Sequence, residues 1–186
     1  MLKVVEWLSL DHLLSMDCKE IDMRNDFISN QEVNLFLKSW KEGKTNSRLE
    51  RIGMKYGYEK VVDWNIILKG LKPKIRDLRT TKYKFMKRSM YRNEYVIWRH
   101  GGIDIQRDDG TIGMICLLSF DALEENEEIS QIAIDYFEKY RDKDWNSGEV
   151  EIEEDTIVEQ EARIYGRLAR DNYFEMIVFD PKLNSF

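Results

Sequence analysis

The chain has 186 residues, of which 42% are hydrophobic, 12% aromatic and 34% charged, with a formal net charge of -6. That length buries a core without disulfide or metal support, and the aromatic content excludes an intrinsically disordered chain. The two cysteines, Cys18 and Cys116, do not make a disulfide scaffold, so a reducing, cytoplasmic setting is expected, or a host cytoplasm or nucleus if the chain is viral.

No apolar run is long enough to span a membrane. We expect a single α+β domain over 1–186. A helical N-terminal region, 1–70, precedes a mainly antiparallel β-sheet with two packed amphipathic helices in 91–186. The opening "MLKVVEWLSLDHLLSMD" reads as an amphipathic helix with Val5, Leu8, His12 and Ser15 on one face. Glu6 and Asp11 interrupt it too early for a signal peptide. A second helix carries Val33, Phe36, Leu37 and Trp40 behind a cap at Ser29 or Asn30, and Gly43 stops it. A third, with Val61, Val62, Trp64, Ile67 and Leu68, ends at Gly70 and Pro73.

From Lys72 to Arg99 the chain holds ten Lys or Arg against two acids. Leu71, Ile75, Leu78, Phe85, Met86 and Met90 fall near one helical face there, although Thr80 and Thr81 weaken a helix. Period-two alternation then takes over. "YRNEYVIWR" and "GIDIQ" read as two strands and "TIGMICLLSF" as a third, with "RDDGT" as a type I′ hairpin turn. Ile129, Ile132, Ala133, Tyr136, Phe137 and Tyr140 mark a strong amphipathic helix, with acids before it and Lys139, Arg141 and Lys143 after it, both favourable to its dipole. "GEVEIE" reads as an edge strand, "TIVEQEARIYGRLAR" as a helix and "YFEMIVF" as a buried strand. The span Tyr95–Ile152, with "WRHGGIDIQRDDGTIGMI", a long helix and "DWNSGEVEI", loosely resembles the effector half of influenza nonstructural protein 1. That resemblance implies a non-enzymatic host-antagonist domain. The N-terminal third departs from the family, since it holds no compact arginine-rich helix.

Chemistry-bearing patterns are few. His12 and His100 are the only histidines, and no Cys or His spacing fits zinc. Asp104, Asp108 and Asp109 near a sheet edge are the one Mg²⁺ candidate, against a plainer role as turn formers with Asp104 facing solvent. Ser119 lacks a nucleophile elbow, and Cys116 has no basic neighbour in sequence. His100, ahead of Gly101-Gly102, is the candidate general base, against a plain strand-end role.

What stands out is charge. From Asp121 to Glu161 there are sixteen acids and three bases, so basic and acidic poles share one chain. We expect a non-catalytic binding or regulatory accessory protein without a cofactor, of the kind a virus or mobile element encodes. It engages nucleic acid or an acidic protein surface through the basic segment 72–99. Lys82, Lys84, Lys87, Arg88 and Arg92 are the expected polyanion contacts, and Tyr83, Tyr91 and Trp98, with Phe85 and Tyr95, the expected stacking or interface aromatics. The alternative is a protein–protein adaptor or inhibitor that uses exposed aromatics while the two poles pair within the fold. A further alternative is an Mg²⁺-dependent nuclease or phosphoryl-transfer enzyme at the three aspartates. A homodimer through the strand edge at Glu149–Ile152 is also compatible with the pattern.

Overall fold

The computed structural model describes residues 2–3, 9–25, 27–56, 62–88, 94–147, 149 and 173–179, with the backbone alone for 2–3, 24–25, 87–88 and 94–95. It has mixed α and β content built on one mainly antiparallel sheet. The strands are β1 (Leu2–Lys3), β2 (Glu20–Asn25), β3 (Arg51–Tyr56), β4 (Lys74–Arg76), β5 (Lys82–Arg88), β6 (Glu94–Gln106), β7 (Ile112–Ala122) and β8 (Tyr173–Phe179). They lie in the order β1-β2-β3-β8-β7-β6-β4, with β5 beside β4 on the outer side of β6. Among the described strands only β1–β2 and β2–β3 pair in parallel.

The N-terminal region, expected as helical, contains strands as well: β1, β2 and β3 alternate with two helices. "EIDMRN" and "RIGMKY" alternate polar with apolar residues, and as strands they send Ile21, Met23, Ile52, Met54 and Tyr56 to one side, where all are buried. The crossovers are the short α1 (Leu10–Ser15) and α2 (Asn30–Lys41). Ser29 is the true N-cap of α2: its hydroxyl accepts from the Glu32 amide while the Ser29 amide donates to the Glu32 carboxylate at 2.8 Å. The third expected helix is one and a half turns, α3 (Trp64–Leu68), capped by Asp63.

The core lies on one face of the sheet. Sheet register aligns Ile75, Ile103, Ile115, Met176, Ile52 and Ile21 across it, and Val33, Phe36, Leu37, Trp40, Ile67 and Leu68 from α2 and α3 complete the cluster. Gly113 sits under Trp40. A Cβ there would lie 2.8 Å from the indole ring and 2.8 Å from Met176 Sδ, so glycine is what lets α2 approach the sheet. Helix α4 (Gln131–Tyr140), capped by Ser130, packs on β7 through Ala133 and Phe137, as its period predicts.

Three strand details correct the sequence reading. The basic stretch is not helical, since "KYKFMKR" forms β5 and "KIR" forms β4. "EYVIWR", the described part of the first expected strand, and "GIDIQ" belong to one strand, β6, whose register against β7 shifts at Gly101–Ile103. The Gly-Gly pair makes that irregularity: Gly101 has φ +71°, and a Cβ on it would lie 2.7 Å from Leu78 Cβ. The hairpin turn is not type I′, because among its residues only Gly110 has positive φ, at +94°. A hydrogen bond from the Gly110 backbone N–H to the Arg107 carbonyl, at 2.9 Å, closes the turn instead. The final strand "YFEMIVF" is central, between β3 and β7. The expected strand 148–153, with the Glu149–Ile152 dimer edge, and the expected helix 156–170 lie outside the described residues apart from Glu149. Among the described residues no helix is long and apolar enough to cross a membrane.

Candidate functional site

The same alternation that fills the core fixes the second face of the sheet. One registered row runs Lys74, Asp104, Met114, Ile177, Arg51 and Glu20, and beside it Arg76 pairs with Gly102 while Glu175, Gly53 and Asp22 are aligned. Charge and apolar surface are therefore interleaved, and the charges form a chain. Glu175 is buried and holds Arg51 Nε at 2.7 Å and Arg99 Nη1 at 3.1 Å. Arg99, itself buried, also donates to Asp121 at 2.8 Å, while Arg51 donates to the Tyr173 hydroxyl at 2.8 Å and stands 3.6 Å from Asp22. The network thus spans β7, β6, β8, β3 and β2. Burial alone would lower the pKa of both arginines, but Glu175 for Arg51, and Cys116, Asp121 and Glu175 for Arg99, outweigh it and leave both raised.

Beside this network lies a cavity of about 270 Å³. Phe85, Ile97, Ile177 and Phe179 supply an apolar wall, Arg51, Arg99 and Glu175 the polar floor, and Glu20, Glu50 and Lys84 charge. Met86, an exposed large apolar side chain, also lines it. A second concavity of about 560 Å³ adjoins it, lined by Lys72, Lys74, Arg76, Tyr83, Asp104 and Phe179 among others. Phe179 borders both, with its ring 4.8 Å from Tyr83 and 6.3 Å from Phe85, so three aromatic rings form the ridge between them.

The expected polyanion residues are placed differently from one another. Lys82 Nζ bonds the Glu125 carbonyl at 3.0 Å, and the Lys84 ammonium lies 5.6 Å over the Trp98 ring. The backbone puts Lys87 and Arg88 at the end of β5. Arg92 and Tyr91 lie outside the described residues. Elsewhere in the segment Arg79 pairs with Asp77 at 2.6 Å and Glu138 at 2.7 Å, and Arg99 with Asp121. The basic pole therefore touches the acidic pole at Lys82, Arg79 and Arg99. Lys72 and Lys74 make no side-chain hydrogen bond or ion pair among the described residues, and sequence reasoning did not single them out.

The aromatics also divide. Tyr83 is half-buried and its hydroxyl meets the Asp104 carboxylate at 3.2 Å, while Trp98 packs against Phe120, Ala122 and Ala133. Trp40, Trp64 and Trp145 are core residues. Among the described residues the exposed large apolar side chains are Phe27, Leu35, Met86 and Leu123.

The three aspartates are not brought together around a cation. Asp104 does not face solvent; it is buried and held by Arg76 at 2.6 Å. Burial raises its pKa, against the pull of Arg76. Asp109 is gripped by Arg107 at 3.0 Å, which lowers its pKa. Among the described residues no group of three or more His, Cys, Asp and Glu is arranged to hold a metal. His100 is not at a strand end but buried inside β6 beside Phe120, its pKa lowered by burial and then by Lys82. Cys116 does gain a basic neighbour across the sheet in Arg99, yet burial dominates and raises its pKa well above the usual thiol range. Its thiol lies 3.4 Å from Glu175, and the Ser119 hydroxyl donates to the Cys116 carbonyl at 2.8 Å.

Comparison with known proteins adds two likenesses. An uncharacterized protein of Caenorhabditis elegans, F59B2.8, is 26% identical over 110 residues, which is 57% of this chain. The chain spans about a quarter of that relative's length, at 24%. No solved structure matches. Residues 2–54, the β1-α1-β2-α2-β3 segment that brings Glu20, Glu50 and Arg51 to the groove, match the family model described as F-box associated.

Proposed function

We propose that this chain is a non-catalytic protein-recognition module, of the kind that accompanies an F-box, and that it takes a segment of a partner protein into the groove beside the Arg51–Glu175–Arg99 network. The observation that carries the reading is the composition of that groove. An apolar wall of Phe85, Ile97, Ile177 and Phe179, extended by exposed Met86, stands next to polar groups already paired with one another. Such a site accepts an apolar anchor side chain without stranding a charge, the arrangement that protein interfaces favour at their centres. The family likeness, whose description names an F-box, supports a protein partner, and its matched segment supplies one side of the groove.

The polyanion reading ranks below this one. Lys82, Arg79 and Arg99, three of the ten cations of the basic segment, are engaged with the acidic pole. The Mg²⁺-enzyme reading ranks lower still, because Asp104 and Asp109 are each held by an arginine.

Selection of random peptides displayed on phage tests the reading. Immobilised protein is expected to enrich peptides that share apolar anchors, and the same peptides lose binding to Met86→Asp while keeping it to Leu35→Asp, a change on the far, helical side of the sheet. Enrichment no better than bare support, or peptides indifferent to Met86→Asp, overturns it.

A further inference from the structure

We infer that the basic concavity lined by Lys72, Lys74 and Arg76 is an acidic-residue subsite, which receives Asp or Glu side chains of the same partner segment whose apolar anchor fills the groove. The inference rests on the protein-recognition reading and adds the partner's charge and layout.

Charge placement is the first support. Among the cations of the basic segment whose side chains are described, Arg76, Arg79 and Arg99 sit in ion pairs, Lys82 is bonded to the Glu125 carbonyl and Lys84 lies over Trp98. Lys72 and Lys74 make no ion pair or side-chain hydrogen bond among the described residues, although Lys74 lies opposite Asp104 and attracts its carboxylate at longer range, and both are exposed on the wall of one concavity of about 560 Å³. The carboxylate in that concavity, Asp104, is already held by Arg76 at 2.6 Å and by the Tyr83 hydroxyl at 3.2 Å. Arg76 and Asp104 therefore cancel, and the two lysines leave the concavity positive. In a chain whose net charge is -6, a local positive recess is a selective feature rather than a general attraction for anions.

Position is the second support. The ridge of Tyr83, Phe85 and Phe179 separates this recess from the apolar groove, and the rings are in contact, with Tyr83 and Phe179 at 4.8 Å. One extended segment crossing the ridge would therefore place an apolar side chain on one side and an acidic one on the other. Alternate residues of an extended chain are about 7 Å apart, which matches a ridge one ring wide. Lysine ammonium groups suit this task, as mobile point charges that follow carboxylates in several geometries.

The test is fluorescence anisotropy of fluorescein-labelled hexaglutamate, hexaglutamine and decauridylate against the full chain, from about 20 to about 200 mM salt, a range over which screening strengthens severalfold. Hexaglutamate is expected to bind at low salt and weaken as salt rises, with hexaglutamine inert. Lys72→Glu/Lys74→Glu should weaken it by about tenfold or more, since two attractions become repulsions. Lys139→Glu/Lys143→Glu, which changes the net charge equally at the end of α4, should leave most of the binding. Equal binding by the two double variants, no hexaglutamate binding at low salt, or a preference for decauridylate through Lys72 and Lys74 overturns the inference. Selected peptides that depend on Met86 but carry no acids and ignore Lys72→Glu/Lys74→Glu would sink the subsite alone, whereas loss of all peptide binding would sink the protein-recognition reading with it.

Discussion

Glu175→Gln removes the charge at the centre of the second face with little change of volume. In the native protein Glu175 is buried between Arg51, at 2.7 Å, and Arg99, at 3.1 Å. Breaking a buried ion pair by neutralising one partner costs about 3–5 kcal/mol, because the other charge stays buried without compensation. Here the lower end applies. Arg99 keeps Asp121 at 2.8 Å, and Arg51 keeps the Tyr173 hydroxyl at 2.8 Å and Asp22 at 3.6 Å, so each guanidinium retains a partial counter-charge. The expected loss is about 3 kcal/mol, equivalent to about 6–12 °C in Tm for a chain of this length. Urea unfolding followed by far-UV circular dichroism measures it. Combining Glu175→Gln with Arg99→Met should cost less than the sum of the single changes by about 1 kcal/mol or more, since the two groups contact each other. A loss below about 1 kcal/mol for Glu175→Gln, or strict additivity in the pair, refutes the view that these charges act as one buried network.

Gly113→Ala should destabilise the protein by about 1–3 kcal/mol, because the new methyl group meets Trp40 and Met176 Sδ at 2.8 Å; urea unfolding reads it, and a neutral result would mean that α2 is free to shift. His100→Gln should flatten part of the acid limb. The folded pKa of His100 is depressed below its usual 6.5, so its contribution is fully present above that pH and is lost as pH falls toward the folded pKa. Stability measured between about pH 7 and pH 5 should fall more steeply for the native sequence than for the variant, and parallel curves would contradict the burial argument. Titration with Ellman's reagent at mildly alkaline pH should modify part-buried Cys18 in the folded protein and Cys116 only after unfolding, since burial holds the Cys116 thiol protonated; rapid reaction of both thiols would oppose this.

Much of the fold's C-terminal half was legible because its periods are strong and local. The α4 face, the alternation of β6 and the apolar β7 and β8 all came from spacing alone. The N-terminal strands were missed although "EIDMRN" and "RIGMKY" alternate cleanly. Each is six residues long and lies beside a helix with a clearer pattern, so the period of the neighbour masked its own. "KYKFMKR" failed for a related reason: Tyr83 and Phe85 alternate with Lys82 and Lys84, yet a few apolar residues nearby also fit a helical face. Long-range facts were out of reach altogether. The Arg99–Glu175 pair joins residues 76 apart in sequence, and nothing local distinguishes Arg99 from the neighbouring cations that remain exposed. Lys72 and Lys74 became candidates only once the other cations were seen to be engaged.

Photo-crosslinking tests the recognition account most directly. Benzoylphenylalanine replaces Phe85 on the groove wall in one variant and exposed Leu35 on α2 in another, and each is irradiated with a peptide enriched by the selection. The account predicts a peptide adduct at position 85, competed by unlabelled peptide, and none at position 35. Adducts at position 35 alone, or equal adducts at both positions, would place the partner away from the groove and contradict it.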